Sequence, residues 1–311
     1  MAVIEVENLT KWYGRTRAVD DIAVTVERGQ VFGFLGPNGS GKTTTIGMLL
    51  GVLTPTAGRI RLLGESGARG LHRARQRIGA TLETPNFYPY LSGRDNLRIA
   101  ANVKRAAASD IEAALDTVRL TARARDRFKA YSLGMKQRLA LAAAMLGDPE
   151  LIILDEPATG LDPEGMREIR EIILELAARG KTLFLSSHLL SEVERICTHV
   201  AIIRRGRIVR QASIRDLTAA TVVAELRASD GAALGRAVAA YDGTIATRDE
   251  GDAVIVELKD DDLAALNAFL AGRGVFLSHL SLKRRSLEDA FIELTAGGGL
   301  AGADVGAGGA A

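Results

Sequence analysis

The stretch Gly36-Pro37-Asn38-Gly39-Ser40-Gly41-Lys42-Thr43 decides how the rest of the chain is interpreted. It fits the phosphate-loop pattern G-x-x-x-x-G-K-[ST]. It follows an apolar run, Gln30–Leu35, that predicts a strand, and it precedes Thr43–Leu50, which predicts a helix. Glycines let the backbone turn successive N–H groups toward phosphate oxygens. We therefore expect a nucleotide site here, with Lys42 reaching the β- and γ-phosphates and Thr43 offering its hydroxyl to Mg²⁺.

A second segment, Leu151-Ile-Ile-Leu-Asp155-Glu156-Pro157, predicts a buried strand that ends in two carboxylates. The carboxyl ends of parallel strands form the edge where α/β sheets bind ligands. Asp155 is predicted to hold Mg²⁺ through its water shell, and Glu156 to orient or deprotonate the attacking water. A strand end with solvated acids is the alternative, and the phosphate loop argues against it. Together the two segments indicate an α/β P-loop NTPase.

Composition excludes several other classes of protein. The chain has 311 residues with a formal net charge of +2, which is too small to indicate nucleic-acid binding. Its single cysteine, Cys197, excludes an internal disulfide framework. The longest apolar run, Leu139–Leu146, is far shorter than the about 20 residues that span a bilayer. The start of the chain lacks the apolar segment of a signal peptide, so we expect a soluble, cytoplasmic protein.

Three further segments carry a family resemblance. The stretch Tyr131-Ser132-Leu133-Gly134-Met135-Lys136-Gln137-Arg138 resembles the signature sequence of ATP-binding cassette (ABC) ATPases. Gly160-Leu161-Asp162-Pro163 is similar to their D-loop, and Ser186-Ser187-His188 to their switch-histidine loop. All five motifs stand in the family's order, so residues 1–211 are identified as an ABC-type ATPase domain.

The resemblance implies roles for particular residues. In the family, the signature begins a helix whose N-terminus faces the γ-phosphate of ATP on the other subunit, a favourable place for an anion. Ser132 and Gly134 match the contacting positions, whereas Leu133 and Met135 replace the usual Gly and Gln. His188 is expected to contact the γ-phosphate and to hold the water and Glu156 in line.

The remaining implied contacts concern the base and the metal. Tyr13 matches the aromatic residue that stacks on adenine, with Trp12 the candidate if the register slips by one. Glu83 stands where most of the family has a glutamine, and it is predicted as a further Mg²⁺ ligand unless it is only a loop acid. The predicted nucleotide-binding residues are Tyr13, Gly36, Pro37, Asn38, Gly39, Ser40, Gly41, Lys42, Thr43, Thr44, Ser132, Gly134 and Asp162.

The rest of the chain predicts additional units. An alanine-rich stretch, Asn96–Arg127, predicts helix within a helical subdomain at about residues 84–133. Residues 216–295 predict the order β-α-β-β-α-β of a ferredoxin-like sandwich, closed by a last helix, Ser286–Thr295, with a Ser286…Asp289 capping pair. The Gly/Ala-rich segment 296–311 predicts a disordered tail.

The resemblance therefore implies a transporter ATPase. Since no membrane span is predicted, the protein would need an integral-membrane permease in a separate chain and would lie on the cytoplasmic face of the membrane. One cassette per chain implies a dimer with two composite ATP sites. In the family, Pro85–Leu97 meets the permease, although this loop could instead pack on its own subdomain.

One branch of the family exports drugs, antibiotic peptides or lipid-like compounds. The chain resembles this branch in three features: Glu83, the signature sequence and the C-terminal unit. The alternative is a non-transport ABC ATPase acting on ribosomes or DNA, a class that usually carries two cassettes in one chain. A nucleotide-sensing module without turnover is disfavoured by the intact pair Asp155 and Glu156.

Overall fold

The computed structural model describes residues 1–82, 86–218, 222–259, 262–284 and 286–296. Glu83 lies outside these ranges, and so does the predicted tail apart from its first residue, Ala296. The strands are β1 (Ala2–Tyr13), β2 (Thr16–Glu27), β3 (Val31–Leu35), β4 (Ala57–Leu62), β5 (Glu65–Ser66), β6 (Ile78–Thr81), β7 (Leu151–Asp155), β8 (Thr182–Ser187), β9 (His199–Arg204), β10 (Arg207–Ser213), β11 (Val222–Ala228), β12 (Thr244–Glu250), β13 (Ala253–Leu258) and β14 (Leu277–Arg284).

The α-helices are α1 (Lys42–Leu50), α2 (Gly67–Gln76), α3 (Gly93–Lys104), α4 (Ala108–Thr117), α5 (Leu133–Met145), α6 (Pro163–Ala178), α7 (Leu190–Ile196), α8 (Ile214–Thr218), α9 (Gly231–Ala239), α10 (Leu263–Ala271) and α11 (Leu287–Ala296). Within the described ranges, no helix combines the length and the apolar character needed to cross a membrane.

A six-stranded sheet in the order β10-β9-β3-β8-β7-β6 forms the centre of the first unit. Strands β9, β3, β8, β7 and β6 are parallel, and β10 returns antiparallel to β9. Every residue of β3, β7 and β8 is buried, as the unbroken apolar runs in the sequence predict. The predicted strand–loop–helix around the phosphate loop is therefore confirmed, and the carboxyl ends of β3, β7 and β8 lie at one edge.

A second, antiparallel sheet (β2-β1-β4-β5) covers one face of the central sheet. Alternate residues of β2 are buried from Ile22 to Val26, as the alternating apolar pattern predicts. In β1 the predicted alternation is wrong, because the consecutive residues Val3 and Ile4 are both buried and the pairing with β2 shifts register there. The inward side chains of both strands share an apolar core with Phe32, Phe34, Ile46 and Phe184. This core holds the strand before the phosphate loop and the helix after it in a fixed relation.

The alanine-rich region contains two α-helices rather than one continuous helical stretch. Helix α3 ends at Lys104; the next residue, Arg105, has a φ of 56° in the left-handed region, and α4 begins at Ala108. Two 3-10 turns, Thr121–Arg123 and Phe128–Ala130, then lead into α5. The left-handed residue stops α3 because it cannot continue the right-handed hydrogen-bond ladder.

The C-terminal unit has the predicted ferredoxin-like topology. Its sheet runs β12-β13-β11-β14 with all neighbours antiparallel. Helices α9 and α10 pack on one face through Leu234, Val238, Leu266 and Leu270. The α+β sandwich that follows the cassette is thus present.

The last helix differs from its prediction. It is predicted as part of the small domain, but α11 packs on the first unit against α7, α8 and β10. Leu287 and Ala290 are fully buried in the core of that unit, and the Leu287 N–H donates to Glu194 Oε2 at 2.9 Å. The capping pair is confirmed, because Ser286 and Asp289 exchange hydrogen bonds. The apolar pattern of an amphipathic helix predicts which of its faces is buried, but it does not predict which core that face contacts.

Candidate active site

The phosphate loop has a conformation that requires glycine at specific positions. Gly39 and Gly41 have φ values of 77° and 110°, which side chains rarely adopt. A Cβ on Gly36 would lie 2.3 Å from the Ile203 carbonyl oxygen. The loop ends where α1 begins at Lys42, so the first N–H groups of that helix face the same concavity. This is an anion-binding geometry.

Lys42 is directed back into the loop. Its side chain is only 6% exposed, and its Nζ donates to the Gly36 carbonyl at 2.8 Å and lies 3.1 Å from Glu156 Oε1. Next to it, the buried Ser40 hydroxyl has no hydrogen-bond partner within the described part of the chain. A buried cation beside an unpartnered hydroxyl fits a phosphate group, which would supply acceptor oxygens to both.

Asp155 and Glu156 are organised by one serine on the neighbouring strand. Ser186 lies opposite Asp155 in the β7–β8 register, and its Oγ donates to Asp155 Oδ1 at 2.5 Å. The same Oγ accepts the Glu156 backbone N–H at 2.9 Å. Glu156 has a φ of 50°, a left-handed conformation that this bond helps to hold. The contacts of Ser186 depend on the register between β7 and β8, so the sequence alone does not predict them.

Glu156 lies at the centre of the site. Its Oε2 is 2.8 Å from His188 Nδ1 and accepts the Thr159 hydroxyl at 2.9 Å. Burial of the Glu156 carboxyl raises its pKa, but the Thr159 hydroxyl, the Lys42 ammonium and the His188 imidazole together outweigh burial and hold the pKa below the usual glutamate value. Glu156 is therefore an ionised carboxylate at neutral pH, suited to accept a hydrogen bond from water.

Two of the predicted Mg²⁺ ligands, Thr43 and Asp155, lie at the same edge of the central sheet. Thr43 follows Lys42 and Asp155 precedes Glu156, so the Lys42–Glu156 contact brings both ligands to one edge of the sheet. Within the described ranges, no group of three or more His, Cys, Asp or Glu residues could hold a metal by itself. A hard cation held here would therefore complete its oxygen shell with phosphate oxygens and water, as Mg²⁺ commonly does. Glu83 cannot be placed relative to this shell, because it lies outside the described residues.

The signature and D-loop residues form a separate cluster. The Ser132 hydroxyl caps α5 by accepting the Met135 N–H at 3.2 Å, and Asp162 caps α6 by accepting the Gly165 N–H at 3.0 Å. The two helix starts are adjacent, since a Cβ on Gly134 would lie 3.9 Å from Leu161 Cδ2. Across the described residues, no hydrogen bond or ion pair joins this cluster to the phosphate loop.

The two candidate base-stacking residues lie at the end of β1. Tyr13 and Trp12 are 47% and 41% exposed, each with a cation over its ring: Lys11 over Tyr13 and Arg17 over Trp12. The paired strand β2 runs past the phosphate loop, where a Cβ on Gly41 would lie 2.7 Å from the Ala18 carbonyl oxygen. Both exposed rings thus belong to the hairpin that borders the phosphate loop.

Known proteins show which family the chain belongs to. The family model described as ABC transporter matches residues 19–159. The bacitracin transport ATP-binding protein of Enterococcus faecalis is 39% identical over 303 residues, covering 96% of this chain and 98% of the relative. The chain belongs to the ABC transporter family. A Nod factor export ATP-binding protein of Cupriavidus pinatubonensis is 40% identical over 220 residues, covering 70% of this ABC protein and 68% of the relative.

Solved structures agree with this assignment. An ATP-binding subunit of an ABC transporter is 32% identical, with a TM-score of 0.63, and the match covers 70% of this chain and 92% of that one. This ABC protein is an ATPase, and it serves as the ATP-binding subunit of a transporter. The predicted fold and family are thereby confirmed.

Proposed function

We propose that this cassette drives export of a drug, antibiotic peptide or lipid-like compound through a separate permease chain. The proposal that the cassette hydrolyses ATP by this route is supported by one cluster of side chains. In it, Lys42 Nζ lies 3.1 Å from Glu156 Oε1, and His188 Nδ1 lies 2.8 Å from Glu156 Oε2. A phosphate-binding cation, a carboxylate base and an imidazole meet at the ligand-binding edge of a parallel sheet.

Each group has a distinct task in hydrolysis. Lys42 leaves Glu156 to hold the β- and γ-phosphates, and the Ser40 hydroxyl and the α1 N–H groups bind phosphate oxygens. The freed Glu156 carboxylate accepts a hydrogen bond from the attacking water and takes its proton as the water oxygen bonds to the γ-phosphorus. The bond from that phosphorus to the β–γ bridging oxygen breaks at the same time, and ADP leaves with the bonding electrons. His188 holds Glu156 in place through Nδ1, and its other ring nitrogen is available for a contact with the γ-phosphate. Mg²⁺, when held by Thr43 and Asp155, neutralises phosphate charge.

A second copy of the chain completes each site. Ser132, Gly134 and Asp162 form an exposed pair of helix starts away from their own phosphate loop. Free N–H groups at a helix start favour an anion, so these residues are suited to the γ-phosphate of ATP held by the partner. ATP would then bridge the two copies, and hydrolysis would release them.

A basic, aromatic face fits the permease. Tyr88 and Tyr90 are exposed, and Lys129 is held beside them because its backbone N–H donates to the Pro89 carbonyl. Arg127 forms a bridge with Ser92 on the same loop, and Arg127 and Lys129 are both exposed. Exposed aromatic rings beside exposed cations are typical of a surface that binds an acidic or amphipathic helix. This arrangement supports attachment at the cytoplasmic face of the membrane.

The substrate class is inferred from the relatives. One is named for bacitracin transport, and its match covers nearly the whole of both chains, including the C-terminal unit. Another is named for export of Nod factor. We infer an amphipathic antibiotic or a lipid-like compound as the cargo.

Co-expression with the membrane protein encoded in an adjacent reading frame tests the assignment. The chain should be recovered in the membrane fraction and should co-purify with that permease. The variants Tyr90→Ala and Arg127→Glu should lose co-purification but retain basal ATPase activity. Arg59→Glu, at an exposed arginine on β4, serves as the matched control and should still co-purify. Recovery with ribosomes, or equal retention of all three variants, would contradict the proposed partner.

A further inference from the structure

A buried carboxylate on β2 is held by two arginines from different parts of the cassette. Asp20 is 7% exposed. Its Oδ1 lies 2.6 Å from Arg17 Nη1 on the same strand, and its Oδ2 accepts a hydrogen bond from Arg207 Nε at 2.6 Å. Neither the phosphate-loop motif nor the family motifs include Asp20. A nearly buried acid with two cations is an organised ion-pair site rather than a solvated surface charge.

One branch of this network reaches the phosphate loop. The Asp20 N–H donates to the Gly206 carbonyl at 2.8 Å, and the Gly206 N–H donates to the Ser40 carbonyl at 2.9 Å. Gly206 is in the turn between β9 and β10, and its φ of 79° requires glycine. Arg207 is the next residue, so the side chain and the backbone of Asp20 both fix this turn. This turn therefore fixes Ser40 of the phosphate loop, whose buried hydroxyl has no hydrogen-bond partner among the residues that the structure describes.

The other branch reaches the exposed aromatic residues. The guanidinium carbon of Arg17 is 5.1 Å from the centroid of the Trp12 ring, within the range of a cation–π contact. Trp12 is followed by Tyr13, the predicted adenine-stacking residue. Asp20 thus stands between the part of the site expected to hold the base and the part expected to hold the phosphates.

We propose that Asp20 is a positioning residue for ATP binding: it fixes the β1–β2 hairpin and the β9–β10 turn against the phosphate loop. The proposal rests on the phosphate loop being the ATP site. None of the described contacts of Asp20 involves Lys42, Glu156 or His188. Replacing Asp20 should therefore weaken ATP binding and leave the rate of the chemical step unchanged.

The variant Asp20→Asn tests this, because the amide keeps the shape of the side chain and removes the charge. The Kd and KM for ATP should rise about tenfold, which corresponds to ~1.4 kcal/mol, with kcat within about twofold of the parent. Trp12 is the only tryptophan in the chain, so its fluorescence reports ATP titration directly. Asp21→Asn is the matched control: Asp21 is the adjacent, exposed carboxylate, and it accepts from Asn8 Nδ2 at 2.9 Å. It should leave Kd unchanged.

A second variant keeps the proposal testable if Asp20→Asn fails to fold. The Arg207 side chain is 67% exposed, so Arg207→Gln removes the turn contact with little effect on the core. It should raise Kd severalfold, and the double variant should bind ATP no more weakly than Asp20→Asn alone. Unchanged Kd in both variants, additive effects, or a fall in kcat at constant KM would overturn the proposal. Lys42→Ala separates the two claims: if it binds ATP normally, the phosphate-loop assignment itself is wrong.

Discussion

Replacing Ser186 with alanine removes the hydroxyl that organises both acidic residues of the site. The Ser186 Oγ donates to the Asp155 carboxylate and accepts the Glu156 N–H, and Ser186 is fully buried. A hydrogen bond to a charged group contributes about 1.5–3 kcal/mol, and a buried N–H left without an acceptor costs about 1–3 kcal/mol. The two effects overlap, so we expect the free energy of unfolding to fall by about 2–4 kcal/mol.

Catalysis should fall as well. Without Ser186, Glu156 loses the bond that orients its left-handed backbone, and the Asp155 carboxylate is free to rotate. We expect kcat for ATP hydrolysis to fall at least about tenfold, equivalent to ~1.4 kcal/mol of transition-state stabilisation. ATP affinity should change little, since the hydroxyl does not contact the phosphate loop.

A control on the same strand distinguishes loss of stability from loss of catalysis. Thr182, at the other end of β8, is also fully buried, and its hydroxyl accepts the Gly29 N–H at 2.9 Å. Thr182→Val keeps the shape and leaves that N–H unpaired, so it should destabilise by about 1–3 kcal/mol and retain kcat. Urea unfolding gives the stabilities, and steady-state ATPase assays at saturating ATP give kcat. If Ser186→Ala hydrolyses ATP as fast as Thr182→Val, the positioning argument is refuted.

Three further outcomes follow from the structure. Leu287→Ala should lower the free energy of unfolding of the ATP-binding unit by about 2–5 kcal/mol, because Leu287 is buried in the core of that unit. Leu266→Ala should leave the unfolding of that unit unchanged, because Leu266 belongs to the core of the C-terminal unit. Since the pKa of Glu156 is lowered from 4.5, its ionised form stabilises the nucleotide-free protein above that pH, and this contribution is lost as pH falls through the folded value. The stability difference between the parent and Glu156→Gln should thus shrink as the pH is lowered below 4.5, and a constant difference would contradict the pairing. Burial raises the pKa of the Cys197 thiol, so a thiol reagent should modify it only after unfolding, and rapid labelling of the native protein would show that this part of the core opens.

The convergence of Lys42, predicted to bind phosphate, with the predicted catalytic residues Glu156 and His188 could be foreseen because it follows from strand order. Lys42, Glu156 and His188 each follow a buried apolar strand, and parallel strands bring such ends to one edge. The role of Ser186 could not be predicted, since it depends on the β7–β8 register rather than on local pattern. The burial of Asp20 is equally hidden by its residue type, because an acid usually faces solvent. Only the two-residue alternation of β2, which places Asp20 on the same face as Ile22 and Val24, indicates the buried position.

Two elements show where pattern alone fails. The helical region breaks at Arg105 because that residue takes a left-handed conformation, and its sequence contains no glycine or proline to signal the break. Helix α11 has a clear apolar face, but its pattern gives no information on which of two cores it contacts. Its contacts with α7 and α8 show that this face packs on the core of the first unit, and such contacts arise only in the folded chain.

The most direct test of a composite ATP site is the mass of the Glu156→Gln variant with and without nucleotide. This change keeps a hydrogen-bonding oxygen and removes the base, so ATP should bind and persist. Light scattering at saturating ATP and Mg²⁺ should find a dimer, and the parent with ADP should be monomeric. Adding Ser132→Arg, which places a bulky side chain at the start of α5, should abolish the ATP-dependent dimer. A monomer with ATP, or a dimer that survives Ser132→Arg, would contradict sites shared between two copies; undiminished turnover would exclude Glu156 as the base.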